Sequence, residues 1–468
     1  MIFSSITFLY FFLPIAILLY FVTPMPSGSA KYRNMVLLAL SLFFYAWGEP
    51  VFIIILILQC VTSWALALLI DKYRGKPASK VVLIISMTID LGVLALFKYA
   101  DFIFTNINSW FNAEIGLLGL ILPIGISFYT FQILSYTIDL YRGKIKVNKS
   151  LLDFATYVTI FPPLLAGPIV RYADIEDSLA KRKHSLEDIA IGARRFVIGL
   201  GKKVLIADQL GVLISHYQAS SENTVLFTWL YLVAFVLKLY FDFSGYSDMA
   251  IGLGRIFGFR FMENFNYPHI SKSMAEFWTR WHISLVTWFR DYVYFPLGGN
   301  RVKIPRFVFN LVLLWFLIGF WHGASWNFVA WGMYYAAILL FERFVLSKYL
   351  DKLPNFIRHF YVIMVLLTTG VFFDAASLAA VGETFSVMFG FGADSFSGVE
   401  SLYYLRSYLV IIGIAIIGST PMPKNIANRI LEKKQFRFLE PVVLALLLLV
   451  VTGFIVDGSF NPFVYFRF

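Results

Sequence analysis

Charge is scarce in this sequence. Asp, Glu, Lys and Arg make up 14% of its 468 residues, while 59% are hydrophobic and 19% aromatic; a soluble globular domain carries roughly 25% charged residues. That composition excludes a soluble globular protein. Cysteine is scarcer: the single Cys60 excludes an internal disulfide framework, a Cys-rich zinc site and an iron–sulfur cluster. Close after the apolar run Val51 to Leu58, it reads as a small packing residue. No Walker A sequence occurs, which argues against an ATP-driven pump, and no His-Glu-x-x-His of the zinc proteases is present. Gly252-Leu253-Gly254 with Gly258 has the wrong spacing for a dinucleotide fingerprint. No sizeable aqueous domain, internal repeat or low-complexity tract is evident, so catalysis must use groups inside the membrane or at its edges.

What the chain has is apolar length. A helix needs about 20 mainly apolar residues to cross a hydrocarbon core of about 30 Å. Apolar segments run approximately at 5–23, 35–47, 51–70, 81–98, 117–140, 189–215, 225–241, 306–321, 327–341, 359–373, 402–419 and 441–457. The expectation is an all-α polytopic membrane protein, a single embedded domain over 1–468, with about 11–12 transmembrane helices plus re-entrant or interfacial helices. Ser5 to Val22 lacks a basic n-region and a clear cleavage site, so it reads as a retained first span.

The net charge of +11 reads as topology rather than as nucleic-acid binding. Connections 71–80 and 141–149 each hold four Lys or Arg, whereas 99–116, 216–224 and 374–401 hold none. The first group should face the cytoplasm, together with 24–34 and 421–440, which leaves both termini outside. Segment 151–168 is apolar yet lies between two basic stretches. With Pro162-Pro163 and Gly167-Pro168 to interrupt it, the reading is a re-entrant segment. The less hydrophobic stretch 255–305 reads as interfacial or re-entrant on the cytoplasmic face. Within it Trp278, Trp281, His282, Leu285, Trp288, Phe289 and Tyr292 fall on one helical face.

Six histidines are present. His184, His216 and His359 lie in connections or at span ends and read as solvated or interfacial. His269, His282 and His322 remain. His322 lies in Gly319-Phe320-Trp321-His322-Gly323-Ala324-Ser325-Trp326-Asn327, between two short apolar segments, where an ionisable side chain is either a functional group or a hydrogen-bonded packing residue. Gly323 permits close backbone approach to a ligand. By pattern alone His282 reads as structural. Asp242 follows Lys238 by four residues, the spacing of a local ion pair, and Asp90 reads as a helix–helix hydrogen-bond acceptor or, in a transporter or flippase, as a proton-coupling residue.

Asn264-Phe265-Asn266-Tyr267-Pro268, Phe277-Trp278-Thr279-Arg280-Trp281-His282-Ile283-Ser284-Leu285 and Trp288-Phe289-Arg290-Asp291 resemble the membrane-bound O-acyltransferase superfamily. Phe241-Asp242-Phe243-Ser244-Gly245-Tyr246-Ser247 before them and Trp321-His322-Gly323-Ala324-Ser325-Trp326 after them extend the likeness, which covers nearly the whole chain around a motif core of about 120–345. Tyr292 to Asn300 and Asn461 to Phe468 resemble the bacterial alginate O-acetyltransferase branch more than the D-alanyl transfer branch. The resemblance implies a fold with a tunnel or funnel reaching a central histidine. It implies His322 as the catalytic histidine and His282, 40 residues earlier, as the second motif histidine. It also implies acetyl-CoA as donor substrate with no permanently bound cofactor, and an extracytoplasmic partner of serine-hydrolase-like type in a cytoplasmic-membrane setting. Arg280, Arg290 and Lys272 are candidates for the donor's phosphates, or else topology and headgroup residues. D-alanyl transfer from a carrier protein to teichoic acid is the enzymatic alternative.

Overall fold

In hydrocarbon the backbone must satisfy its own polar groups, and a chain this apolar does so by forming helices. The computed structural model describes residues Met1–Gly458, so the terminal stretch beginning at Asn461 lies outside the described residues. Among the described residues there are helices and two isolated bridges but no strand. The all-α polytopic fold is the one expected. Among the described residues eight helices are long and apolar enough to cross a membrane: Ile53–Lys72, Pro77–Phe111, Val225–Ile256, Ile304–His322, Trp326–Leu350, Asn355–Asp374, Val399–Gly418 and Lys434–Asp457.

The four other apolar segments form helices of a different kind. Thr7–Val22 is short, and Lys31–Gly48 opens with Lys31, Arg33 and Asn34. Ile126–Tyr141 is buried nearly all round, so its apolar sequence answers to protein rather than to lipid. The 189–215 stretch carries Arg194, Arg195, Lys202, Lys203 and Asp208 and changes to a π-helix over Lys202–Ala207.

Two compact units are distinguished, Met1–Phe196 with Ser247–Glu263, and Val197–Tyr246 with Asn264 onward. In the first, Ser63 of Ile53–Lys72 donates to Asp90 Oδ1 of Pro77–Phe111 at 3.0 Å, and Ser86 donates to Oδ2 at 3.5 Å. Asp90 is thus a helix–helix acceptor, buried between serines. The 151–168 segment is buried in protein. Its helix Leu151–Thr159 breaks at Ile160, and Pro162-Pro163 occupy the first turn of Phe161–Leu164, where proline is tolerated. His184 is also tied in, its Nε2 lying 2.9 Å from the Tyr20 hydroxyl.

In the second unit, Ile304–His322 packs on Trp326–Phe341 through glycines. A β-carbon on Gly319 would lie 2.4 Å from the Phe328 carbonyl oxygen, and one on Gly332 would lie 2.3 Å from that of Trp315. Lys203 and Asp242 are both buried and meet at 2.7 Å; Asp208 takes the same ammonium at 2.7 Å. Asp242 thus faces a buried cation drawn in from another helix, which spacing along its own helix did not indicate. A charge buried this deeply needs partners on more than one side.

The glycine contact can be tested directly. Gly332→Leu is expected to destabilise the protein by about 1–3 kcal/mol through overpacking against a rigid carbonyl. Gly382→Leu, where a β-carbon meets nothing within 4 Å, should leave the thermal midpoint in detergent unchanged.

Candidate active site

His322 is the last residue of Ile304–His322 and is buried. The chain leaves the helix at Gly323 in extended conformation. A β-carbon there would lie 2.2 Å from the Phe328 ring, so the close approach expected at Gly323 is to this aromatic side chain. Beyond it, the Ser325 hydroxyl donates to Asn327 Oδ1, and Asn327 Nδ2 donates to the carbonyls of Phe372 (3.1 Å) and Ala375 (2.8 Å). Asn327 thereby fixes the end of Asn355–Asp374, whose Phe373 stands against His322. Around the imidazole the ring centroids of Trp321 and Trp331 lie at 4.9 Å and that of Phe373 at 5.4 Å, all edge-on.

The imidazole lines a cavity of about 40 Å³, measured over the positions a water molecule's centre can take. Val225–Ile256 contributes Phe235, Val236 and Leu239; Met274–Arg280 contributes Phe277 and Trp278; Asn355–Asp374 contributes Leu366, Thr369, Gly370 and Phe373. Trp281, Trp331, Tyr335 and His269 complete it. His269 is the residue that sequence reasoning passed over: it remained among three histidines but received no role. The structure puts it in the single turn Pro268–Ile270, its ring 4.8 Å from that of Tyr240.

His282 is not among the residues lining this cavity. One continuous helical face over 274–292 was expected, and the chain instead forms Met274–Arg280 and Ile283–Phe289, separated by His282 at φ 45. The physical reason is Asn264: its Oδ1 accepts from the Ser284 amide (3.3 Å), the Ser284 hydroxyl (2.9 Å) and His282 Nδ1 (3.1 Å). The backbone amide can only donate, which sets the orientation of the Asn264 amide and makes His282 Nδ1 a donor, leaving Nε2 as the basic nitrogen. The ring of Trp321 lies 6.2 Å from that of His282 and 4.9 Å from that of His322.

A buried carboxylate places the aromatic wall. Glu342 accepts from the amides of Met274 (2.7 Å) and Ala275 (2.9 Å) and from the Tyr361 hydroxyl (3.2 Å), so the first turn bearing Trp278 is held by charge-assisted hydrogen bonds. Arg280 pairs with Glu276 at 3.0 Å and donates to the Asn266 carbonyl at 3.1 Å. Glu276 also accepts from the Lys272 amide at 2.8 Å. Arg290 pairs with its neighbour Asp291 at 3.0 Å. None of these three cations is among the cavity-lining residues. Among the described residues no cluster of three His, Cys, Asp or Glu could hold a metal.

Residues 144–351 match the family model described as membrane-bound O-acyltransferase family. The chain is 41% identical to the probable alginate O-acetylase AlgI of Azotobacter vinelandii, over 89% of this chain and 85% of that protein. It is 42% identical to the probable AlgI of Pseudomonas aeruginosa, over 92% and 85%. With the peptidoglycan O-acetyltransferase of Helicobacter pylori it shares 29% identity over 100% and 98%.

Glu342→Ala is expected to cost about 1–3 kcal/mol by leaving buried amides unmatched, read as a lower thermal midpoint with a change in tryptophan emission. Burial pushes His282 down to about 3 and His269 to about 4, from an ordinary 6.5. Both therefore bind a proton more readily unfolded than folded, so their contribution to stability is full above about pH 6.5. It is lost as pH falls towards 3–4. A His282→Asn variant should show a shallower decline of thermal midpoint over that acid range than the native chain.

Proposed function

The chain belongs to the membrane-bound O-acyltransferase family, and from that premise we propose that it takes an acetyl group from cytosolic acetyl-CoA and passes it across the cytoplasmic membrane for O-acetylation of an exported or cell-surface polysaccharide. The enzyme is an acyltransferase embedded as a multi-pass membrane protein; the donor, the direction of transfer and the polysaccharide are the proposal. The observation that carries it is the buried His322 on the wall of an aromatic cavity.

Acyl transfer to a hydroxyl needs a group that accepts the hydroxyl proton as the carbon–oxygen bond forms, and neutral imidazole suits that task near pH 7. His322 is the proposed base. The indoles of Trp321 and Trp331 restrict its ring and keep bulk water from the acyl group. His282 is the proposed second histidine, acting through the Trp321 ring rather than at the cavity wall. Lys272, Arg280 and Arg290 are proposed to meet the donor's phosphates, for which a guanidinium supplies paired donors. Alternation of connections rich in Lys and Arg with connections that hold neither supports a cytoplasmic donor side and extracytoplasmic termini. The immediate acceptor is proposed to be an extracytoplasmic partner of serine-hydrolase-like type, which hands the group to the sugar. For transport, Asp90 was the group that sequence offered, and it is engaged between Ser63 and Ser86.

Purified protein in lipid vesicles should release or transfer radiolabelled acetyl from acetyl-CoA when the acceptor partner is supplied. A folded His322→Ala variant is expected to lose that turnover, by a factor of about 10²–10⁴ for removal of a general base. Native-level activity in that variant would overturn the assignment.

A further inference from the structure

On the cavity wall that carries His322, two buried nitrogens have no hydrogen-bond partner among the described residues, Nε1 of Trp278 and Nδ1 of His269. The Tyr335 hydroxyl on the same wall pairs with Thr369 at 2.9 Å, and Thr369 donates on to the Leu366 carbonyl at 2.9 Å. A buried N–H without an acceptor is costly, and such atoms in a native structure call for an explanation. Neither side chain is free to swing towards one. Trp278 is boxed by the rings of Trp315 at 4.5 Å, Tyr335 at 4.9 Å and Trp331 at 6.1 Å, and its helix is capped by Glu342. His269 sits in a tight turn closed by the Ser271 hydroxyl on the Pro268 carbonyl at 2.6 Å. The Trp331 ring lies 6.1 Å from that of Trp278 and 4.9 Å from that of His322, so the indole and the proposed base flank one residue.

We propose that Trp278 Nε1–H and His269, in its Nδ1–H tautomer, are the donors that hold the acyl carbonyl oxygen while it carries negative charge. The proposal rests on the acyl-transfer reading and names how the same cavity stabilises its transition state. The acceptor oxygen bonds to the acyl carbon as its proton passes to His322, and the carbonyl π pair moves onto oxygen. That oxyanion takes hydrogen bonds from the two nitrogens. The electron pair then returns to re-form the carbonyl, the carbon–sulfur bond breaks, and the leaving thiolate takes the proton from His322. Both donors end the cycle unchanged. An indole nitrogen can only donate, which suits it to an oxygen whose charge rises in the transition state.

The test uses the full chain in vesicles with radiolabelled acetyl-CoA and the acceptor partner. Replacing Trp278 by benzothienylalanine, which exchanges N–H for sulfur in the same bicyclic frame, or by phenylalanine, is expected to lower kcat about 10²–10³-fold. KM for acetyl-CoA and the thermal midpoint should stay near native values. His269→Asn, which keeps a donor near the Nδ1 position, should retain most of the activity, while His269→Leu should lose it as Trp278→Phe does. Native kcat in the folded benzothienylalanine protein would overturn the proposal. So would equal losses in His269→Asn and His269→Leu, or a loss confined to KM, since those mark a packing role. Absence of turnover in the native chain itself would remove the acyl-transfer reading and the proposal with it, a result distinct from every variant outcome.

Discussion

Where Ile304–His322 and Trp326–Phe341 meet, each helix brings a carbonyl oxygen within 2.4 Å of the place a β-carbon would take on the other's glycine. Lipid gives two apolar helices little reason to prefer each other over acyl chains, so association at membrane depth relies on close backbone packing at small residues. Gly319 and Gly332 supply that surface, and His322 lies one helical turn beyond it. The position of the imidazole against Trp331, from the second helix of the pair, follows from how closely the two backbones pack.

Around this hairpin a few polar side chains do work that would otherwise need long stretches of chain. Glu342 satisfies two amides and a hydroxyl, Asn264 accepts three donors, and Asn327 reaches two carbonyls. Each bonds to backbone where a helix begins or ends, and so each settles the direction of an element beside the cavity. Burying such groups is costly unless every lone pair is used, which ties their identity to the geometry they hold. Lys203 with Asp242 and Asp208 applies the same rule to full charges.

Much of this was legible in the residues. Scarcity of charge and runs of apolar residues mark helices that cross a membrane, because hydrocarbon penalises any other backbone arrangement. The motif Trp321-His322-Gly323 pointed to the cavity. Asp90, flanked by small and apolar residues, read as a helix–helix acceptor and is one. Other readings fell short for a common reason: they used spacing along one helix where the fold also brought in a partner from elsewhere. A period of 3.6 carried a helix through His282, and spacing along one helix gave no sign of Lys203 beside Asp242. In space Lys203 approaches Asp242, and the Asn264 carboxamide, 18 residues before His282, turns the backbone there. Apolar character alone does not tell a helix that faces lipid from one buried in protein, such as Ile126–Tyr141.

By itself the sequence determined the solvent in which this chain folds, its helical class and the family it belongs to, because these depend on composition and on short local motifs. Which histidines share the cavity was decided only by tertiary structure. His269 and His322 stand on one wall although 53 positions separate them, while His282 is not among the residues that line it. Convergence of that kind depends on helix termini set by buried hydrogen bonds and on glycine contacts between backbones, neither of which leaves a periodic trace in the order of residues.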